Sequence, residues 1–102
     1  MAIRKSMDEE LVVSGNRDEW LKKCEGSLKN KGFTKVNTNH SLYQIKGNYK
    51  KITVWGEILV TLKPQSEKDT TIFIKSTSNI DNVFALFKSP NKTIIEKFKE
   101  GL

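Results

Sequence analysis

The stretch Ile52-Thr53-Val54-Trp55-Gly56-Glu57-Ile58-Leu59-Val60-Thr61-Leu62-Lys63 alternates along its whole length. Its even positions, Ile52, Val54, Gly56, Ile58, Val60 and Leu62, form one apolar face, broken only by the glycine at the centre. Apolar residues at period two specify a β-strand with one face on a core. The strand is roughly twice the usual ~5–6 residues, so it must bend to wrap what covers it. A mid-strand glycine marks a sharp curve, a bulge or the close approach of another backbone. Two readings of Gly56 follow: a helix seated tightly on a curved sheet, or a cavity for a ligand.

Working outward, Pro64 ends this strand because it cannot donate to a ladder, and "KPQSEKD" reads as a loop. Thr70 to Thr77 reads as the next strand, with Ile72 and Ile74 on one face and Phe73 and Lys75 on the other. On the other side, Phe33 to Thr38 and Ser41 to Lys46 are two more strands, parted by the turn "NTNH". "KGNYKK" is read as the turn into the long strand.

Further upstream, Leu11 to Ser14 is a short apolar run read as a first strand, and residues 1–10 as a tail before a single domain at 11–102. Gly15 breaks that strand and Asn16 can cap a helix, with Asp18 and Glu19 favourably placed at its positive end. Trp20, Leu21, Cys24 and Leu28 recur at helical spacing. Gly32 then offers a left-handed stop, with Phe33 returning onto Leu28 as in a Schellman motif. Gly26 inside this helix costs about 1 kcal/mol against alanine and is a candidate for close approach of another element. At the C-terminal end, Ile80, Val83, Phe84 and Phe87 suggest a short helical turn. Ser89-Pro90 starts a last helix whose apolar stripe is Ile94, Ile95 and Phe98, with Leu102 as a further candidate. The order is β-α-β-β-β-β-α, an α+β domain with a curved antiparallel sheet and helices on one face.

At this point the residues resemble something known. The order β-α-β4-α resembles the TATA-box-binding-protein-like fold. "VWGEILVTL", a strand ending in "KSTS" and a closing "NKTIIEKF" are similar to a family of small uncharacterised bacterial domains. The match falls on Trp55, Gly56, Ser76 and Asn91, and departs at Leu86-Phe87-Lys88, where an acidic, glycine-containing turn is expected. The resemblance implies a fold and no particular activity.

Composition bounds the chemistry. A chain of 102 residues, 36% hydrophobic and 29% charged, makes one globular domain. No apolar run approaches the ~20 residues of a membrane span, and "MAIRKSMDEELVV" carries no secretion signal, so the chain is expected in the cytoplasm. The single cysteine, Cys24, excludes an internal disulfide and a cysteine-built zinc site. It lies on the buried stripe as a small core residue. The single histidine, His40, sits in a polar turn and is read as solvated. No metal, cofactor or catalytic constellation is expected. There is no carboxylate pair, no glycine-rich phosphate loop and no nucleophile–base arrangement, so the domain is expected not to be an enzyme.

The odd face of the long strand is the candidate binding surface: Trp55, Glu57 and Lys63, joined by Phe73 and Lys75 from the next strand. Such a face suits a protein or small-ligand partner, since tryptophan and other aromatics anchor interfaces. An alternative is a single-stranded nucleic acid. Nine of the lysines lie between Lys22 and Lys63 against Glu25 and Glu57, which concentrates the net charge of +6 there, and aromatics beside lysines can stack bases. Against both stands the bland reading, in which Trp55 and Phe73 pair across strands and only stabilise the sheet.

Overall fold

In a computed structural model of the chain, which describes residues 4–51, 54–79 and 90–102, seven elements follow one another. They are β1 (Arg4–Ser14), α1 (Arg17–Asn30), β2 (Thr34–Asn39), β3 (Gln44–Lys51), β4 (Val54–Pro64), β5 (Asp69–Asn79) and α2 (Pro90–Glu100). The first residues of the long strand, Ile52 and Thr53, the helical turn read at Ile80 to Phe87 and the cap Ser89 lie outside the described residues.

The strands form one antiparallel sheet in the order β1-β5-β4-β3-β2. The expected α+β class and the meander β2 to β5 both hold, and β1 completes the sheet on the far side of β5. The even positions of β4 point to the core: Ile58, Val60 and Leu62 are buried with Ile45 and Tyr49 of β3 and Ile72 and Ile74 of β5. Leu21, Cys24 and Leu28 of α1 and Ile94, Ile95 and Phe98 of α2 close the same cluster. Both helices therefore cover one face of the sheet, and among the described residues no helix lies on the other.

Helix α1 is built by the signals its sequence carries. The Asn16 side chain accepts from the Glu19 backbone N–H at 2.9 Å, Gly32 is left-handed at φ 85°, and Phe33 N–H donates to Leu28 O at 3.0 Å. Phe33 then buries its ring against Tyr49, centroids 4.9 Å apart. Gly15, at φ 122°, admits the Trp20 indole, which donates to Ser14 O at 2.7 Å.

Two boundaries and one register differ from the sequence reading. Residues 4–10 are strand rather than tail, paired with β5 from Arg4↔Asn79 to Ser14↔Asp69. Glu9 is the reason they read as solvated: it faces the helix side, where Lys99 of α2 reaches it at 3.1 Å. "KGNYKK" is likewise not a turn, since Gly47 to Lys51 continue β3 opposite Ile58 to Val54. Gly47 faces inward beneath Phe33, whose ring covers the position where a side chain would stand. In β2 a bulge falls between Thr34 and Asn37, with Lys35 at φ 52°. The extra residue lets Phe33 and Val36 both face the core although their spacing is odd.

Candidate functional site

The helix side of the sheet is filled. Phe98, Leu28, Ile58, Leu62, Ile72, Ile74 and Ile94 have no accessible surface to speak of, and the gap in the β4 face is closed too. A Cβ on Gly56 would lie 2.6 Å from Thr77 O and 2.7 Å from Ile94 Cδ1. The glycine serves the close seating of α2 and β5, so the cavity reading of Gly56 falls. Ser76 and Asn91, two positions that carried the family resemblance, meet in this layer: the Ser76 hydroxyl donates to Asn91 Oδ1 at 2.8 Å, buried. Cys24 is fully enclosed by α1's packing, and burial pushes its thiol up to about 12, which removes it as a nucleophile at neutral pH.

The opposite face is open, and its residues can be read row by row from the strand register. One row runs Asp8–Lys75–Leu59–Lys46 across β1, β5, β4 and β3, and the next runs Glu10–Phe73–Thr61–Gln44. All five expected surface residues lie on this face. Trp55 is 51% exposed and Phe73 37%, and Glu57, Lys63 and Lys75 are exposed.

They do not form one site. Phe73 stands opposite Thr61, six positions along β4 from Trp55, or about 20 Å at the strand's rise. The two rings therefore do not pair across strands. Phe73 and Lys75 line one hollow of about 380 Å³ together with Asp8, Glu10, Leu59 and Thr61. Trp55 and Glu57 line a second, of about 370 Å³, with Thr34, Asn48 and Lys50. The Lys63 ammonium sits 5.3 Å from the centre of the Phe73 ring and that of Lys50 5.5 Å from Trp55. Each cation is held on an aromatic face rather than pointed outward.

The first hollow is the more chemically distinct. Its apolar part is Leu59 and Phe73; Asp8 and Glu10 border it along β1, and Lys75 stands between Asp8 and Leu59. None of these three charges has an ion-pair partner among the described residues. Asp8 and Glu10 were missing from the sequence reading because their segment was taken for a tail.

The positive charge does not gather on this face. Lys22, Lys23 and Lys29 belong to α1, on the far side of the sheet. Lys29 pairs with Glu25 at 2.9 Å, and Lys31 with Glu100 at 3.8 Å. Lys29 first and Thr38 second, both hydrogen-bonded to it, hold the Glu25 carboxyl below its usual range. With Asp8, Glu10 and Glu57 interleaved on the sheet, the lysine cluster does not make a continuous track for a nucleic-acid backbone.

No protein-family model matches the sequence, and no curated protein is similar to it. Solved structures are similar in fold. A point mutant of norcoclaurine synthase from Thalictrum flavum, in complex with a transition-state analogue, superposes with a TM-score of 0.69 at 10% identity. The match covers 99% of this chain and 92% of that one. The same enzyme with dopamine and hydroxybenzaldehyde gives 0.66 at 10% identity, over 98% and 84%. The adenylate sensor of AMP-activated protein kinase, in complex with an aminoimidazole carboxamide ribofuranotide, gives 0.62 at 14% identity, over 87% and 94%.

The chain shares with these structures an α+β fold with a curved antiparallel sheet. Two expectations change accordingly. The α+β class and curved antiparallel sheet stand, and the similar structures do not confirm the TATA-box-binding-protein-like assignment. The expectation that the domain is not an enzyme is overturned, because norcoclaurine synthase is an enzyme on this fold. Because one fold hosts unrelated functions, the absence of a familiar catalytic motif does not exclude catalysis. No helix among the described residues is long and apolar enough to cross a membrane.

Proposed function

We propose that the chain is a small-ligand-binding domain whose ligand lies on the sheet face opposite α1 and α2, in the hollow between Asp8, Glu10, Leu59, Thr61, Phe73 and Lys75. One observation carries this reading: an exposed apolar floor stands beside charges of both signs that have no ion pair among the described residues. Apolar contact with Phe73 and Leu59 supplies affinity, and the rim charges fix orientation. An amphipathic aromatic molecule with one charged group fits this chemistry. The similar structures support it by kind, since they are complexes with small ligands, dopamine with hydroxybenzaldehyde in one and a ribofuranotide in another.

The test is a titration of isotope-labelled protein with two aromatic probes of opposite charge, dopamine and anilinonaphthalene sulfonate. At least one probe is expected to shift the backbone signals of Leu59, Phe73 and Lys75. Saturable binding that leaves those three signals still would place the ligand elsewhere and end this assignment.

A further inference from the structure

The open face has the charge pattern of a surface complementary to itself, and we infer that two copies of the chain pair through it. In the row Asp8–Lys75–Leu59–Lys46 the acid stands on β1 and a lysine on β3, with β5 and β4 between them. A two-fold axis parallel to the strands, passing between β4 and β5, lays β1 of one copy over β3 of the other. The same rotation lays β5 over β4. Asp8 then faces Lys46 of the second copy, and by symmetry Lys46 faces its Asp8, the reciprocity of an isologous contact. Between these charged borders, Phe73 lies over Thr61 of the second copy and Leu59 over the stem of its Lys75. The other in-plane axis, perpendicular to the strands, would set acid on acid along β1 and is disfavoured.

The area agrees with this occupant. Four strands overlap in this arrangement, β1, β5, β4 and β3; spaced about 4.8 Å apart, with lengths of up to ~35 Å, they present roughly 600 Å² per copy. That approaches the ~800 Å² per partner of a standard interface. The face also exposes Val12, at 61%, beyond Phe73 and Trp55, and two such sheets pack face to face about 10 Å apart. Lys46 and Asp8 are exposed and have no ion pair within the chain among the described residues, so each is available to a partner.

Pairing also supplies a second wall to the hollow beside Phe73, which a single sheet leaves open although ligand sites enclose about 70–90% of their ligand. That enclosure rests on the ligand reading above; the pairing itself does not.

Sedimentation of the full chain without added ligand tests the inference. The parent is expected to be a dimer. Asp8→Lys and Lys46→Asp are each expected to weaken it by at least about a hundredfold, because like charges then oppose one another across both contacts. An equimolar mixture of the two variants restores opposite charges at both contacts and should form a heterodimer. The double variant should return to a homodimer. Unchanged melting temperatures of the single variants separate lost pairing from lost folding. A parent that remains a monomer at about 100 μM, single variants that associate like the parent, or a mixture that fails to pair would each overturn it. Failure of both aromatic probes to bind the parent dimer would sink the ligand reading and leave the pairing intact.

Discussion

Gly56 of β4 lies directly beneath Ile94 of α2: a Cβ on the glycine would stand 2.7 Å from the isoleucine Cδ1 and 2.6 Å from Thr77 O. One contact is the tip of a side chain and the other is backbone, so only part of the crowding can relax. Gly56→Ala should destabilise by about 1–3 kcal/mol, the range for overpacking a filled core, and Gly56→Val by more. Ile94→Ala in the same chain should recover part of that loss, giving a coupling above ~0.5 kcal/mol in a double-mutant cycle. Denaturant unfolding of the four proteins measures it. Strict additivity would mean that Ile94 is not what the glycine accommodates.

Gly26 looks equivalent in the sequence and is not. A Cβ there meets nothing within 4 Å, and the backbone is ordinary helix within α1. The glycine packed closely against another helix is Gly101, whose added Cβ would collide with Ser27 of α1. Gly26→Ala should therefore stabilise the protein by roughly 0.5–1 kcal/mol through helix propensity. A drop in denaturation midpoint would show that the position needs its glycine after all.

What the sequence made legible follows from how far each signal has to reach. Helix α1 was readable to the residue because Asn16, Gly32 and Phe33 act within one turn of their partners. The two faces of β4 were readable because alternation needs no knowledge of the neighbours. The strand at residues 4–10 was not, since its inward Glu9 is charged and its partner, Lys99, lies ninety positions away. Gly47 and Asn48 carry turn chemistry that Phe33 and the β4 ladder override. Of the proposed site, Phe73 and Lys75 came from parity, whereas Asp8 and Glu10 depend on β1 pairing with β5 across more than sixty residues.

The buried thiol gives a pH signature. Cys24 is raised from 9.0 to about 12 by burial, so the unfolded chain releases this proton before the folded one does. Its contribution is complete below pH 9 and declines as pH rises from about 9 towards 12. Cys24→Ala should lower stability at pH 7 through lost packing, yet fall less steeply than the parent between pH 9 and 11. A thiol reagent should react with the native protein only at the rate of opening. Parallel alkaline limbs in the two proteins would mean that the thiol is not protected.

Phe73 and Trp55 separate the two hollows of the open face. Each is partly exposed, so neither alanine variant should cost as much as the ~3–5 kcal/mol of a core aromatic such as Phe98. Phe73→Ala removes the floor beside Asp8, Glu10 and Lys75 and frees the Lys63 ammonium from its ring. Trp55→Ala alters the hollow bounded by Lys50 and Glu57. If the ligand occupies the first hollow, Phe73→Ala should weaken aromatic-probe binding by about tenfold or more, as expected for ~1.4 kcal/mol. Trp55→Ala should leave it within about twofold. Calorimetric titration of both variants decides between the hollows, provided their melting curves overlay the parent's. The reverse ranking would move the ligand to the Trp55 end of the sheet, where Lys50 and Glu57 supply the charges and Asp8 and Glu10 have no part in recognition.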